Sequence, residues 1–471
     1  MTLTATTPPA PPPARARRAP RPPRPTRRAW HGDAVGTMTV ASLVVVVALW
    51  LHDRGVQDLT GSTGTLLTSS GRLLGLLASD LLLVQCLLMA RIPWAERRWG
   101  QDTLARWHRV LGFTSFWTMA AHVVVITLGY DATSPKGLVA ETWDLVWDYP
   151  GMLLAVAATA CLVMVVVTSV RAARRRLRYE SWHLLHLYAY LGVGLALPHQ
   201  VWTGTDFISS PLARSYWWTL WGAAAVATLV FRVALPLGLS WRHRLEVVRV
   251  VPEGPRVVSV HLKGRRLDKL AVEAGQFLVL RFLDGEGWTR ANPYSLSASP
   301  HPSLLRVTIA DAGDGSARAR HLRPGTRVLF EGPYGRLTLG VRDDHRRPVV
   351  LLGAGVGITP LRALLEELPP EVPATLLVRA RDEDEVLFRR ELETLAMQRK
   401  ATVHYLLGPR AGDGSWLPRG WDPSALRRLA PHVAAADVFV CGPTAWADAA
   451  AAAAERAGTP VSRVHQERFS W

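Results

Sequence analysis

Three cysteines, Cys86, Cys161 and Cys441, are all this chain contains. A four-cysteine iron–sulfur cluster is therefore excluded within the chain, and no disulfide framework is implied. The C-x-x-C-H signature is absent, so a covalently attached haem has no anchor. No cleavage motif follows the first apolar run, which sets aside a secretory signal. Inverted repeats and broken apolar segments are also missing, which argues against a transporter.

What is abundant is arginine, tryptophan and apolar runs. The chain has 471 residues, 19 Trp, a net charge of +17 and a mean hydropathy of +0.10. That length allows about three domains. Such a charge first suggests nucleic acid, but the arginines cluster beside apolar segments. The expected partner is a lipid bilayer, not nucleic acid.

Residues 1–33 read as a disordered basic tail, with seven Arg between Arg15 and Arg28. Six apolar runs follow near 34–51, 72–90, 109–129, 151–170, 184–202 and 216–238, each close to the length of one span. The loop from Arg91 to Arg109 and that from Arg171 to Arg178 are basic. The loops holding Asp131, Glu141, Asp144 and Asp148, and Asp206, are acidic or poor in arginine. This alternation predicts a multi-pass protein of the cell membrane with both termini cytoplasmic.

Two of these runs carry paired histidines, His108 with His122 and His186 with His199. Ionisable residues inside a membrane are costly and usually functional, and histidine is an axial ligand for haem iron. Spacings of 14 and 13 residues separate the partners by about 21 and 20 Å along a helix. Two stacked b-type haems, one near each face, fit that separation. The first pair returns to within about 40° of one face, whereas the second falls about 140° apart. Gly192, Gly194 and Pro198 lie between the second pair and are placed to change the helix phase. His183 offers an alternative to His186. Arg72 suits a haem propionate or simple snorkelling. Asp80 sits inside the second run.

After Trp241 the composition is that of a soluble domain. Leu245–Val251, Val257–Leu262 and Phe277–Phe282 are β-branched-rich runs between turns, which predicts an antiparallel barrel. From Pro348 the pattern becomes strand, Gly-rich turn, helix, which predicts a doubly wound α/β nucleotide-binding domain. In VVLLGAGVGITP, Gly353, Gly355 and Gly357 let the backbone approach a pyrophosphate, and the helix beginning near Ile358, Thr359 and Pro360 favours its charge. RANPYSLSAS, residues 290–299, suits a flavin ring, and the turn from Gly313 to Ser316 a second phosphate. Cys441, Gly442 and Pro443 follow a buried strand at the sheet edge where ligands bind. Arg379 and Arg381 end the second strand of this domain, where an arginine meets a 2′-phosphate. NADPH is favoured over NADH on that ground.

These motifs together resemble the ferric reductase and NADPH oxidase superfamily: a six-span bis-haem domain fused to a ferredoxin–NADP reductase-like module. The matches are the His108/His122 and His186/His199 spacings, PYSLS, GAGVGITP, CGP and the terminal ERFSW. The resemblance selects His186 over His183. It implies that Arg290, Asn292, Pro293, Tyr294, Ser295, Leu296 and Ser297 surround FAD, with Gly313 and Ser316 on its phosphates. It assigns Gly353 to Thr359, Cys441, Gly442 and Pro443 to NADPH, and Phe469 or Trp471 to the flavin face. Many relatives carry His or Arg where Asn292 stands, and oxidase-type relatives place a further His where Ile126 stands. The expected division is 1–33 tail, 34–240 haem-binding spans, 241–345 FAD barrel and 346–471 nucleotide domain. The expected acceptor lies outside the cell: chelated ferric iron first, then oxygen, then a protein.

Overall fold

A computed structural model describes residues 34–134, 136–170, 173, 179–285, 290–311, 313–412, 414–422 and 424–467. The basic tail, most of the Arg171–Arg178 loop, and both Phe469 and Trp471 lie outside these residues.

Among the described residues, seven helices of 11 residues or more build the first half: α1 (Ala34–His52), α2 (Thr63–Leu88), α3 (Gln101–Asp131), α4 (Leu138–Asp148), α5 (Met152–Ser169), α6 (Tyr179–Trp202) and α7 (Pro211–Leu229). A π-turn at Val230–Ala234 joins α7 to α8 (Leu235–His243). Five segments among the described residues are long and apolar enough to cross a membrane: Val35–His52, Thr63–Leu88, Thr103–Asp131, Met152–Ser169 and Pro211–His243. The expected sixth, 184–202, lies in the 24-residue helix α6 but is not among those five. The histidines, Pro198 and Gln200 that make α6 interesting also lower its hydropathy. Helix α4 lies between two spans and exposes Val139, Trp143 and Trp147 on one face, as in an interfacial aromatic belt.

Glycine sets how closely α2 and α3 approach. A Cβ on Gly71 would lie 2.9 Å from the Ile126 backbone, and one on Gly129 would lie 2.7 Å from Thr68 N. Small residues at such contacts let membrane helices pack on dispersion alone.

The end of α8 docks on the first sheet, where Ser240 Oγ accepts from Phe330 N at 3.0 Å and lies 3.2 Å from Phe330 O. That sheet holds β1 (Leu245–Gly254), β2 (Val257–Lys263), β3 (Phe277–Phe282), β4 (Asn292–Ser295), β5 (Leu304–Ala310) and β6 (Arg327–Tyr334). Its order is β4-β3-β6-β1-β2-β5. The expected closed barrel is corrected here: the sheet is open, with β4 and β5 at its edges. Strand β4 is only four residues long and is paired along its length with β3. Just past β4, Leu296 bridges Val307 and Ser297 N donates to Arg306 O at 2.8 Å, the backbone links that the described residues carry toward β5.

The last third is a five-stranded parallel sheet of order β11-β10-β7-β8-β9. Its strands are β7 (Val349–Ala354), β8 (Ala374–Ala380), β9 (Thr402–Leu407), β10 (Asp437–Cys441) and β11 (Val464–Gln466). Val349 and Leu351 pack with α9 (Ile358–Glu367) and α10 (Arg389–Arg399). Val350 and Leu352 pack on the other face with α11 (Thr444–Arg456). Burial on both faces explains why β7 reads as a continuous apolar run.

Candidate functional site

All four predicted histidines line one cavity of about 2470 Å³. Helices α3 and α6 face each other across it, each backed by a neighbour, α2 behind α3 and α5 behind α6. The cavity runs from Arg72, Asp206 and Tyr130 at one end to Trp99, Phe277, Gly335, Arg336 and Glu467 at the other. It therefore joins the membrane helices to the soluble half of the chain.

The residue set ring to ring with His108 is His186, at 6.0 Å between centroids; His183 lines the same cavity. Two bonds of about 2 Å from ring nitrogen to a first-row metal, plus the depth of two rings, give about that separation. Each histidine is held through Nδ1. The partners are Gln85 O for His108, Gly71 O for His122, Ser169 Oγ for His186 and Thr203 Oγ1 for His199. Holding Nδ1 leaves Nε2 for a metal, the arrangement usual for ligating histidines. The donor set thus fits two bis-histidine haems. The approach of α2 is specific at this point: a Cβ on Gly75 would lie 2.7 Å from His122 Nδ1. Likewise, a Cβ on Gly151 would lie 2.8 Å from His199 N.

Arg72 is bound rather than free. It donates to Asp206 at 2.7 Å and lies 3.5 Å from Asp53 and 3.6 Å from Asp58. Buried Asp80 points elsewhere, accepting from Ser42 Oγ at 2.7 Å and Tyr216 OH at 2.6 Å. It ties α2 to α1 and α7.

In the soluble half the predicted residues divide. Asn292, Pro293, Tyr294 and Ser295 form the edge strand β4. Burial pushes the Tyr294 hydroxyl up to about 12, with Asn292 opposing. Arg290 and Leu296 flank the strand, and Leu296 is fully buried in the sheet core. Ser297 is also fully buried; its Oγ accepts from Thr308 Oγ1 at 2.8 Å and Arg306 Nε at 3.2 Å. Its hydroxyl is thus engaged within the sheet. Gly313 and Gly355 both have positive φ, 144° and 54°, and nothing within 4 Å of where a Cβ would stand. Both are open cradles of the kind a phosphate needs. Ser316 Oγ donates to Gly313 O at 2.9 Å, and Thr359 Oγ1 to Val356 O at 2.9 Å. These hydroxyls stiffen the turns. Ile358 is buried beneath.

Gly353 pairs with Cys441 across β7 and β10. A Cβ on Gly357 would lie 2.3 Å from Cys441 O, so only glycine lets the two turns meet. Gly442 is also tight, with the Trp446 ring 2.8 Å from where a Cβ would stand, and Pro443 leads into α11. Burial, with Glu467 nearby, pushes the Cys441 thiol well above its usual range. Arg379 is buried and donates to Leu406 O at 3.1 Å and Gly408 O at 2.6 Å. These bonds tie it to the end of β9. Arg381 remains exposed, 3.8 Å from Glu385.

Sequence reading missed the groups that hold the histidines. Thr203, one turn beyond His199, carried a signal in its spacing. Gly71, Gln85 and Ser169 carried none, because their pairing is set by helices distant in sequence. Glu467 was also missed as a site residue, although it opens the terminal motif ERFSW.

Residues 74–197 match the family described as ferric reductase like transmembrane component. Residues 351–452 match the oxidoreductase NAD-binding domain. Ferredoxin–NADP reductase B of Sorangium cellulosum is 31% identical over 240 residues, 47% of this chain and 96% of that protein. The chain belongs to the ferric reductase and NADPH oxidase superfamily. Another relative is the ferredoxin reductase component of 3-ketosteroid-9-alpha-monooxygenase of Mycolicibacterium smegmatis. It is 32% identical over 47% of this chain and 60% of its own length. The chain spans only about three fifths of the first curated relatives it matches. The FAD/NAD-binding domain of a nitric oxide dioxygenase from Vibrio cholerae aligns with a TM-score of 0.41 at 24% identity. That alignment covers 48% of this chain and 98% of the domain. Like the superfamily, the chain is a membrane helical region followed by ferredoxin reductase-like FAD/NAD(P) domains.

Proposed function

We propose that the chain is a transmembrane oxidoreductase. It carries electrons from cytoplasmic NADPH, by way of FAD and two b-type haems, to an extracytoplasmic acceptor, with chelated ferric iron the first candidate. The observation that carries this reading is the continuous cavity from the four histidines to Gly335 and Glu467. When bound, FAD exchanges a hydride for single electrons and haem relays them singly; the protein orients the groups and separates the compartments.

On this reading the spans of residues 34–240, six in number with α6 as the fifth, hold haem. His108 and His186 ligate near the cytoplasmic face, His122 and His199 near the outer one. Residues 241–345 bind FAD through β4, with Gly313 and Ser316 toward its phosphates. Residues 346–471 bind NADPH through the turn from Gly353 to Thr359, with Arg381 toward the 2′-phosphate. Cys441, Gly442 and Pro443 border the nicotinamide, and Phe469 or Trp471 covers the flavin. The cell membrane is the location, with both termini cytoplasmic.

The test is a reduced-minus-oxidised spectrum of membranes after NADPH addition, followed by candidate acceptors. Haem bands that reduce with NADPH and reoxidise with a ferric chelate support the proposal. Absence of haem reduction despite bound flavin rejects it.

A further inference from the structure

The four histidines are not held equally tightly. His108 Nδ1 lies 3.4 Å from Gln85 O, and His186 Nδ1 lies 3.3 Å from Ser169 Oγ. By contrast, His122 Nδ1 lies 2.7 Å from Gly71 O, and His199 Nδ1 lies 2.7 Å from Thr203 Oγ1. The first two distances are at or beyond the long end for N–H···O bonds, the last two at the short end.

The proton direction is settled in the outer pair. A carbonyl only accepts, so His122 donates to Gly71 O. Thr203 Oγ1 gives its single hydrogen to His199 O at 2.6 Å. Only its lone pairs then face Nδ1, so His199 donates as well. In the inner pair, Ser169 Oγ is shared, because it also accepts from Trp182 Nε1 at 3.3 Å.

A tight bond from Nδ1–H draws its proton toward the acceptor and makes Nε2 more basic. A more basic axial nitrogen stabilises the more positive, oxidised metal. We infer that Gly71 O and Thr203 Oγ1 give the outer site, between His122 and His199, the lower reduction potential of the two. This inference rests on the bis-haem reading above. An electron distributed between the sites then resides at equilibrium on the inner one, away from the outer mouth. The outer site is the stronger reductant and is drawn upon when an acceptor arrives. Thr203 is accordingly a positioning residue that acts through His199.

The test is potentiometric titration of the purified holoprotein, followed at the haem bands, with haem counted by pyridine haemochrome. The wild type is expected to show two haems and two one-electron midpoints. T203V is expected to retain both haems and raise the lower midpoint. A change on the order of tenfold in that equilibrium is about 59 mV for one electron. T203S restores the acceptor and is expected to restore the wild-type value. S169A is expected to leave the lower midpoint in place, and H122L to leave a single haem at the higher one. The inference is overturned if T203V keeps two haems but moves only the higher midpoint or neither, if S169A moves the lower, or if H122L retains the lower. Should T203V lose haem, the S169A and H122L results decide. A wild type with fewer than two haems overturns the bis-haem reading itself, and this inference with it.

Discussion

Arg306 on β5 and Glu391 on α10 face each other through two hydrogen bonds of 2.9 Å. They join the first sheet to the nucleotide domain across 85 residues of sequence. Arg362 Nε adds a third bond to the same carboxylate at 2.9 Å, and Phe388 lies against the Arg306 guanidinium. Burial pushes the Glu391 carboxyl upward, but Arg306 and Arg362 outweigh it and hold it below its ordinary value.

Glu391→Gln should loosen this junction. The carboxylate is 38% exposed, so the loss is discounted for solvent to about 1 kcal/mol. The depressed carboxyl sets the pH dependence. Its contribution is complete above the ordinary value of 4.5 and disappears as pH falls through the lowered folded value. Thermal melts of the wild type and variant should therefore converge toward acid. A constant gap down through that range would reject the assignment.

Gly75→Ala places a methyl 2.7 Å from His122 Nδ1. Overpacking at such a contact costs about 1–3 kcal/mol, and the ring loses its hold on Gly71 O. One haem should be lost from the purified variant, as counted by pyridine haemochrome. Gly194→Ala is the control, because its Cβ would have nothing within 4 Å. Equal haem loss in both variants would rule out the specific contact.

Arg381→Ala should narrow the preference for NADPH over NADH by the roughly 1.5–3 kcal/mol of a charge-assisted contact. Arg379→Ala should instead lower the melting temperature and leave the preference alone, because Arg379 binds Leu406 O and Gly408 O. The measurement is kcat/KM for both nucleotides. A preference lost in the Arg379 variant and kept in the Arg381 variant would reverse the assignment.

Cys441 should resist alkylation. Its thiol is buried and pushed upward, so little thiolate forms near neutral pH. Iodoacetamide at pH 8, followed by mass mapping, should label it only after unfolding. Rapid labelling of the folded protein would contradict the burial.

Truncation after Gln466 should leave FAD bound while raising NADPH-dependent autoxidation of the flavin. Phe469→Ala and Trp471→Ala separate the two rings. Unchanged autoxidation in all three variants would mean that neither ring shields the flavin.

Local pattern was enough for much of this. Apolar run length located the membrane helices, because a span needs its own stretch of about 20 apolar residues. The central strands of the second sheet, β7, β8 and β10, were legible for a similar reason: a strand buried on both faces is apolar throughout. The Gly-rich turn was legible because its chemistry needs glycine at fixed offsets.

Pairings across sequence distance were decided only by tertiary structure. Closure of the first sheet depended on how far the four-residue β4 reaches toward β5, which composition does not encode. Arg379 and Arg381 look equivalent near a strand end, yet Arg379 lies within β8 beside the carbonyls of Leu406 and Gly408, whereas Arg381 lies past the end of the strand in solvent. Four histidines at suggestive spacing were visible at once. What each Nδ1 touches was not, because a hydrogen-bond partner is set by where a neighbouring helix places its carbonyl or hydroxyl, and that placement follows from helix packing.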